Sequence, residues 1–131
     1  MKARKLEADW ANRCNGRPGE LAGLLRHPKI EQVKIDGEDL DIYVKAIKKV
    51  SPWRIGVNLT GEYQMQTNHA WNTPLILFKN MGSFCHTAAN INGSNEVACW
   101  GNVLPVVRSL YNARKFAPLV MLSIDFLHGA I

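Results

Sequence analysis

Cysteine is scarce in this chain, long apolar runs are missing, and acidic residues are outnumbered by basic ones. Each shortage removes a class of protein. Only three cysteines occur, Cys14, Cys85 and Cys99, an odd number at irregular spacing, so a secreted disulfide scaffold is not expected. No apolar stretch approaches the ~18 residues that a membrane span needs. The opening Met1-Lys2-Ala3-Arg4-Lys5 is basic, but Glu7, Asp9, Asn12 and Arg13 interrupt what would have to be a signal core. These absences together predict a reduced, cytoplasmic protein without a membrane partner. The 16 Lys and Arg against 11 Asp and Glu leave a net charge of +5, which permits an acidic or nucleic-acid partner. The basic residues are scattered apart from Lys45, Lys48 and Lys49, however. A solvated basic surface is the simpler reading, and nucleic acid is not the expected partner.

What is present suits one globular domain spanning residues 1–131. Hydrophobic residues make up 47 % of the chain and charged ones 21 %, enough for a single core without a disulfide framework. Residues 2–14 read as a helix, with Ala3, Leu6 and Trp10 on one stripe. Gly16, Pro18 and Gly19 are expected to end it, and Glu20–Arg26 to form a short helical turn that His27-Pro28 breaks. The middle alternates as strands do. Val33 and Ile35 lead into a hairpin turn at Asp36-Gly37-Glu38-Asp39. Residues 40–50 place Leu40, Ile42, Val44 and Ala46 on one face, and Trp53, Ile55, Val57 and Leu59 alternate again. Residues 62–73 read as a loop and Leu75–Phe78 as a short buried strand. Residues 79–102 have no period. Val103–Tyr111 suits a turn or short helix. Pro118–Leu127 suits a second helix, with Pro118 in its first turn and Gly129 as its cap. The order predicts an α+β fold: an N-terminal helix, an antiparallel meander of about four strands, an irregular loop and a C-terminal helix.

The irregular stretch carries the chemistry. A long aperiodic segment inside a small domain is usually functional, and Cys99 sits there among Asn90, Asn92, Gly93, Ser94, Asn95 and Gly101. A thiol so placed is a candidate nucleophile for group transfer; the competing reading is a small buried hydrophobe. Asparagines in such a loop either donate an amide to an oxyanion or tie up nearby backbone. Cys85 and His86 are adjacent and cannot easily both chelate, so with Cys99 they make a poor zinc site, and no metal is expected. Trp10 and Trp53 are candidate core residues. Trp71 and Trp100 are candidates to cover the loop or to receive a partner's tail.

In this order the chain resembles the ubiquitin-conjugating enzyme family. Arg4-Lys5-Leu6-Glu7 is similar to the Arg-Leu-x-Lys-Glu-like pattern of the family's opening helix, and the meander follows in its expected place. Pro74-Leu75-Ile76-Leu77-Phe78 resembles the Pro-x-Ile-x-Phe strand. His86 with Asn90-Ile91-Asn92 resembles the His-Pro-Asn-Ile signature, and Glu96-Val97-Ala98-Cys99 the Gly-x-Ile-Cys segment. Phe116-Ala117-Pro118-Leu119-Val120, with Leu122-Ser123-Ile124 and Leu127, is similar to the Trp-Ser-Pro-x-x segment and the helix it begins. The chain differs where Thr87-Ala88-Ala89 separate His86 from Asn90 and the signature's proline is absent. Cys-Trp-Gly-Asn at residues 99–102 is more like bacterial members.

The resemblance implies a ubiquitin-conjugating-enzyme-like fold and a transferase without metal or organic cofactor. Cys99 would take a ubiquitin-like protein from an activating enzyme as a thioester and pass it to a lysine or other amine of a target protein. Asn90 would stabilise the oxyanion or order the loop, with Asn92 and Asn95 competing for either role. His86 would hold the loop, as the family's histidine mainly does, or act as a general base. Lys2, Arg4 and Lys5 would lie on the helix that meets the activating enzyme. Bacterial conjugation operons of this kind imply a place in antiphage defence. Two other readings stand beside it: a catalytically inactive binding module of the same fold, and a basic nucleic-acid-binding or assembly protein.

Overall fold

The computed structural model describes residues 2–46, 52–61, 75–81, 91–92, 97–98 and 100–128. They form an α+β architecture, with helices α1 (Lys2–Arg13) and α2 (Pro18–Leu25) ahead of strands β1 (Ile30–Asp36), β2 (Asp39–Val44), β3 (Trp53–Asn58) and β4 (Ile76–Asn80). A short hairpin follows, β5 (Ile91–Asn92) and β6 (Val97–Ala98), then a 3₁₀ turn (Gly101–Val103), α3 (Leu104–Asn112) and α4 (Phe116–Leu127). β1 to β4 form one sheet in chain order, every pair antiparallel.

The sheet arises from strict alternation. Leu40, Ile42 and Val44, then Trp53, Ile55 and Val57, then Ile76 and Phe78 are all buried, and a period of two puts each set on a single face. Against that face lie the buried residues of the helices: Trp10 of α1, Leu21 and Leu24 of α2, Val107 and Tyr111 of α3, and Leu119, Val120 and Ile124 of α4. The intervening residues of β2, β3 and β4 remain partly or fully accessible on the other face. The β1–β2 turn at Gly37 and Glu38 has positive φ at Gly37 alone, as a II′ hairpin turn requires at its first central position. In β1 the register shifts between Ile30 and Gln32, so Glu31 is the extra residue of a bulge on an edge strand.

Three expectations need correcting. Pro18 and Gly19 do not merely end α1; they open α2, where Pro18 occupies the first turn, a position whose N–H has no helical partner anyway. The Glu20 carboxylate accepts a 2.7 Å hydrogen bond from the Arg17 N–H, the reciprocal half of a capping box. The strand expected over residues 40–50 runs in its described part only to Val44, with Lys45 and Ala46 exposed beyond it. Residues 47–50, and Gly129 as a helix cap, lie outside the described residues. Val103–Tyr111 resolves into the 3₁₀ turn and α3, and α4 begins at Phe116, two residues before Pro118. Among the described residues no helix is long and apolar enough to cross a membrane.

Candidate functional site

The end of β3 is tied to the corner between α3 and α4. Asn58 closes the strand by accepting from the N–H and hydroxyl of Thr60 at 2.9 and 2.8 Å, an Asx-type turn. The Tyr111 hydroxyl donates to the Asn58 carbonyl, and the Arg114 guanidinium donates to the Gly61 carbonyl at 2.8 Å. That guanidinium lies 5.3 Å from the Tyr111 ring centre and 6.0 Å from that of Phe116, within cation–π range. Burial raises the Tyr111 phenol above its usual pKa, with the neighbouring Arg114 opposing. The helical layer is thus locked to the sheet at the point where residues 62–74 begin.

The chain next returns through β4 and then the β5–β6 hairpin, which packs on β4. The hairpin is two residues deep, with Ile91 opposite Ala98 and Asn92 opposite Val97. Trp100 comes two residues after Ala98 and is 6 % exposed. Its ring stacks at a tilt between Phe78 of β4, 5.7 Å away, and Phe126 of α4, 4.6 Å away. Gly101 then takes φ of +57°, a left-handed conformation that costs glycine nothing. This turns the backbone sharply from the Trp100 anchor into the 3₁₀ turn. Trp100 is therefore a core residue. It is not free to receive a partner's tail, because its indole already fills the space between sheet and α4. Trp10 and Trp53 are core residues, as expected.

The three residues singled out for catalysis, Cys99, Asn90 and His86, lie outside the described residues, as do Cys85, His69 and Trp71. Of these, only Asn90 and Cys99 adjoin described residues in sequence. In sequence Asn90 directly precedes β5 and Cys99 directly follows β6, and the residues beside them, Ile91 and Ala98, are opposed across the ladder. Cys14 can be set aside as a nucleophile. It is buried just past the end of α1, and burial pushes its thiol up to about 12, against a smaller lowering by Arg13; such a thiol is inert at neutral pH. Among the described residues no three His, Cys, Asp or Glu side chains are grouped to hold a metal. On α1, Arg4 is exposed and Lys5 is engaged with Asp9 at 3.1 Å.

Sequence reasoning missed the Trp100 anchor. The signal was present as Trp100-Gly101 before a helical segment, an aromatic followed by the one residue suited to a left-handed turn. No protein-family model, no curated protein and no solved structure matches this chain.

Proposed function

We propose that the protein is a ubiquitin-conjugating-like transferase of bacterial type that carries a ubiquitin-like modifier on Cys99. One observation supports the reading most: Ile91 and Ala98, the sequence neighbours of Asn90 and Cys99, pair opposite each other in one short ladder. The coarse order, a helical start, a four-stranded antiparallel meander and a C-terminal helix, supports the resemblance, with α2 and α3 as additional helices.

The chemistry is two successive acyl transfers. The Cys99 thiolate attacks the thioester carbonyl of the modifier on its activating enzyme. The new C–S bond forms and the enzyme's thiolate leaves. A target amine then attacks the Cys99 thioester. The carbonyl oxygen carries negative charge in the tetrahedral intermediate, where a side-chain amide donor such as Asn90 is typically worth about 10²–10³ in rate. Collapse forms the amide, releases the Cys99 thiolate and returns the amine's proton to solvent or to a base. A thiolate serves both steps because it is a good nucleophile and a good leaving group.

The test is incubation with a bacterial activating enzyme of this kind, ATP and its cognate ubiquitin-like protein, followed by non-reducing electrophoresis. The wild type should give an adduct that thiol reductant removes. Cys99→Ser should give an oxyester that survives reductant, and Cys99→Ala none. An adduct retained in Cys99→Ala, or none on the wild type, rejects the proposal.

A further inference from the structure

The accessible face of the sheet carries a dish with a glycine at its centre. Gly56 is in the middle of β3, paired with Asp41 on one side and Leu77 on the other. Glycine weakens a strand interior by roughly 0.5–1 kcal/mol against alanine, and the only local reason for it is the closeness of the Asp41 carboxylate. Its φ is not in the left-handed range, and a Cβ would touch only the Asp41 Oδ1, at 3.3 Å. What the missing side chain does is keep open a hollow of about 160 Å³. A glycine in a regular strand often marks the close approach of another molecule.

The rim of the dish is charged in an ordered way. Arg54 and Lys79 are directly opposite each other across β3 and β4, a like-charge pair that destabilises a sheet when left alone. Asp39 and Asp41 are two apart along β2, on the same face. Arg54 is near enough to lower the Asp41 carboxyl, yet burial dominates and holds that carboxyl above its usual pKa. No ion pair within 4 Å joins the two. One edge of the dish thus carries two cations and the adjoining edge two carboxylates, with Lys34 and Asp36 of β1 opposite Asp41 and Asp39 beyond it; among the described residues no ion pair within 4 Å neutralises either set.

This pattern is self-complementary. We infer that the outer sheet face is an isologous interface between two copies of this chain, related by a two-fold axis through Gly56. The cation pair runs across the strands and the carboxylate pair runs along one. They can only be superposed if the two sheets cross near 90°, one of the two standard sheet-on-sheet geometries. A two-fold in that orientation sets Arg54 over the other copy's Asp41 and Lys79 over its Asp39, twice each. It sets Tyr43 over Tyr43 at one corner, Leu75 over Leu75 at the opposite corner, and Gly56 over Gly56 at the centre. Strand spacing and residue repeat differ, so the charges are offset by about 2–3 Å, within the reach of Arg and Lys side chains. The two parallel-strand and strand-reversed two-folds fail, because they set Arg54 on Arg54 or Asp41 on Asp41. A nucleic-acid backbone is a poorer occupant, since Asp39 and Asp41 would repel it.

The face of four strands is about 19 by 17 Å, well below the ~800 Å² per partner of a standard interface. The dimer is therefore weak and is sought at roughly 0.1–1 mM protein by sedimentation equilibrium. The wild type should pass from monomer to dimer over that range, less readily at high salt. Arg54→Asp alone and Asp41→Arg alone should each remain monomeric, since each sets like charges together. An equimolar mixture of the two should recover the dimer as a heterodimer, because both contacts become Asp against Arg. If either variant melts below the working temperature, the exposed pair Lys79→Glu and Asp39→Lys is used in the same way. A wild type that stays monomeric to 1 mM overturns the inference. So does a dimer that survives in the single variants, a mixture that stays monomeric, or a monomer that takes up an oligonucleotide through Arg54 instead.

Discussion

Replacing Trp100 by alanine should cost stability and, separately, disturb the residue next to it. The indole is 6 % exposed and contacts Phe78 and Phe126 at ring-centre distances of 5.7 and 4.6 Å. A tryptophan buries roughly 150–250 Å², which at ~25 cal/mol per Å² is about 4–6 kcal/mol for the whole side chain. Alanine keeps part of that, and two aromatic contacts add about 0.5–1.5 kcal/mol each. The net agrees with the ~3–5 kcal/mol usual for a large aromatic cut to alanine in a core. Urea denaturation followed by far-ultraviolet circular dichroism measures it. The midpoint should fall with little change in slope, and the melting temperature should drop by about 10–20 °C. Ile55→Ala, in the sheet centre, provides a control that also destabilises the core. At a temperature where both variants are folded, thioester formation should be slowed by Trp100→Ala and not by Ile55→Ala. A loss under ~1 kcal/mol, or equal loading by the two variants, would refute the anchoring role given to Trp100.

Other expectations follow from single contacts. At Gly16 a Cβ would come 2.1 Å from the Trp10 Nε1, which donates to the Arg17 carbonyl at 3.1 Å. Gly16→Ala should therefore cost about 1–3 kcal/mol by overpacking, read as a lower urea midpoint, and an unchanged midpoint would contradict it. Arg114→Ala removes the hydrogen bond to Gly61 and both ring contacts while keeping a non-glycine residue at φ of 58°. A loss of about 1.5–3 kcal/mol is expected, together with faster amide exchange at the end of β3. Cys14 tests the alkaline side: its folded pKa, near 12, exceeds that of an ordinary thiol. Its protonated form then favours the folded state. Stability should fall as pH rises through the ordinary thiol pKa, by up to about 1.4 kcal/mol per unit. Comparing urea midpoints at pH 8 and pH 10, Cys14→Ala should flatten the decline; an unchanged slope would show that Cys14 does not contribute to it.

The sheet and the first and last helices were legible because their patterns are local and unambiguous. Leu40-Ile42-Val44 and Trp53-Ile55-Val57 alternate without exception, and a period of two admits only one buried face. The α2 start was misread because Pro18-Gly19 carries two meanings. Proline ends one helix as readily as it opens the next, and only the Glu20 contact to Arg17 decides between them. The bulge at Glu31 leaves no mark in composition, since it is set by pairing with β2. Trp100 was ambiguous for a related reason: a tryptophan beside polar residues reads equally as a lid or an anchor until Phe78 and Phe126 are brought to it from elements 22 and 26 residues away in sequence. The empty space over Gly56 and the orthogonal charge pairs around it are properties of register across three strands. The sequence shows Asp39, Asp41, Arg54 and Lys79 only as dispersed charges on an apparently ordinary basic surface. For Cys99, Asn90 and His86 the sequence supplies the proposal, and the described elements supply only Ile91 and Ala98, the sequence neighbours of two of them.

The claim that Cys99 carries a modifier is tested most directly by intact-mass spectrometry of the protein after reaction with activating enzyme, ATP and the ubiquitin-like protein. The mass should rise by that of the modifier less one water, return to the starting value after mild hydroxylamine, and map by digestion to the peptide containing Cys99. An unchanged mass, or a modifier attached elsewhere and resistant to hydroxylamine, would contradict it.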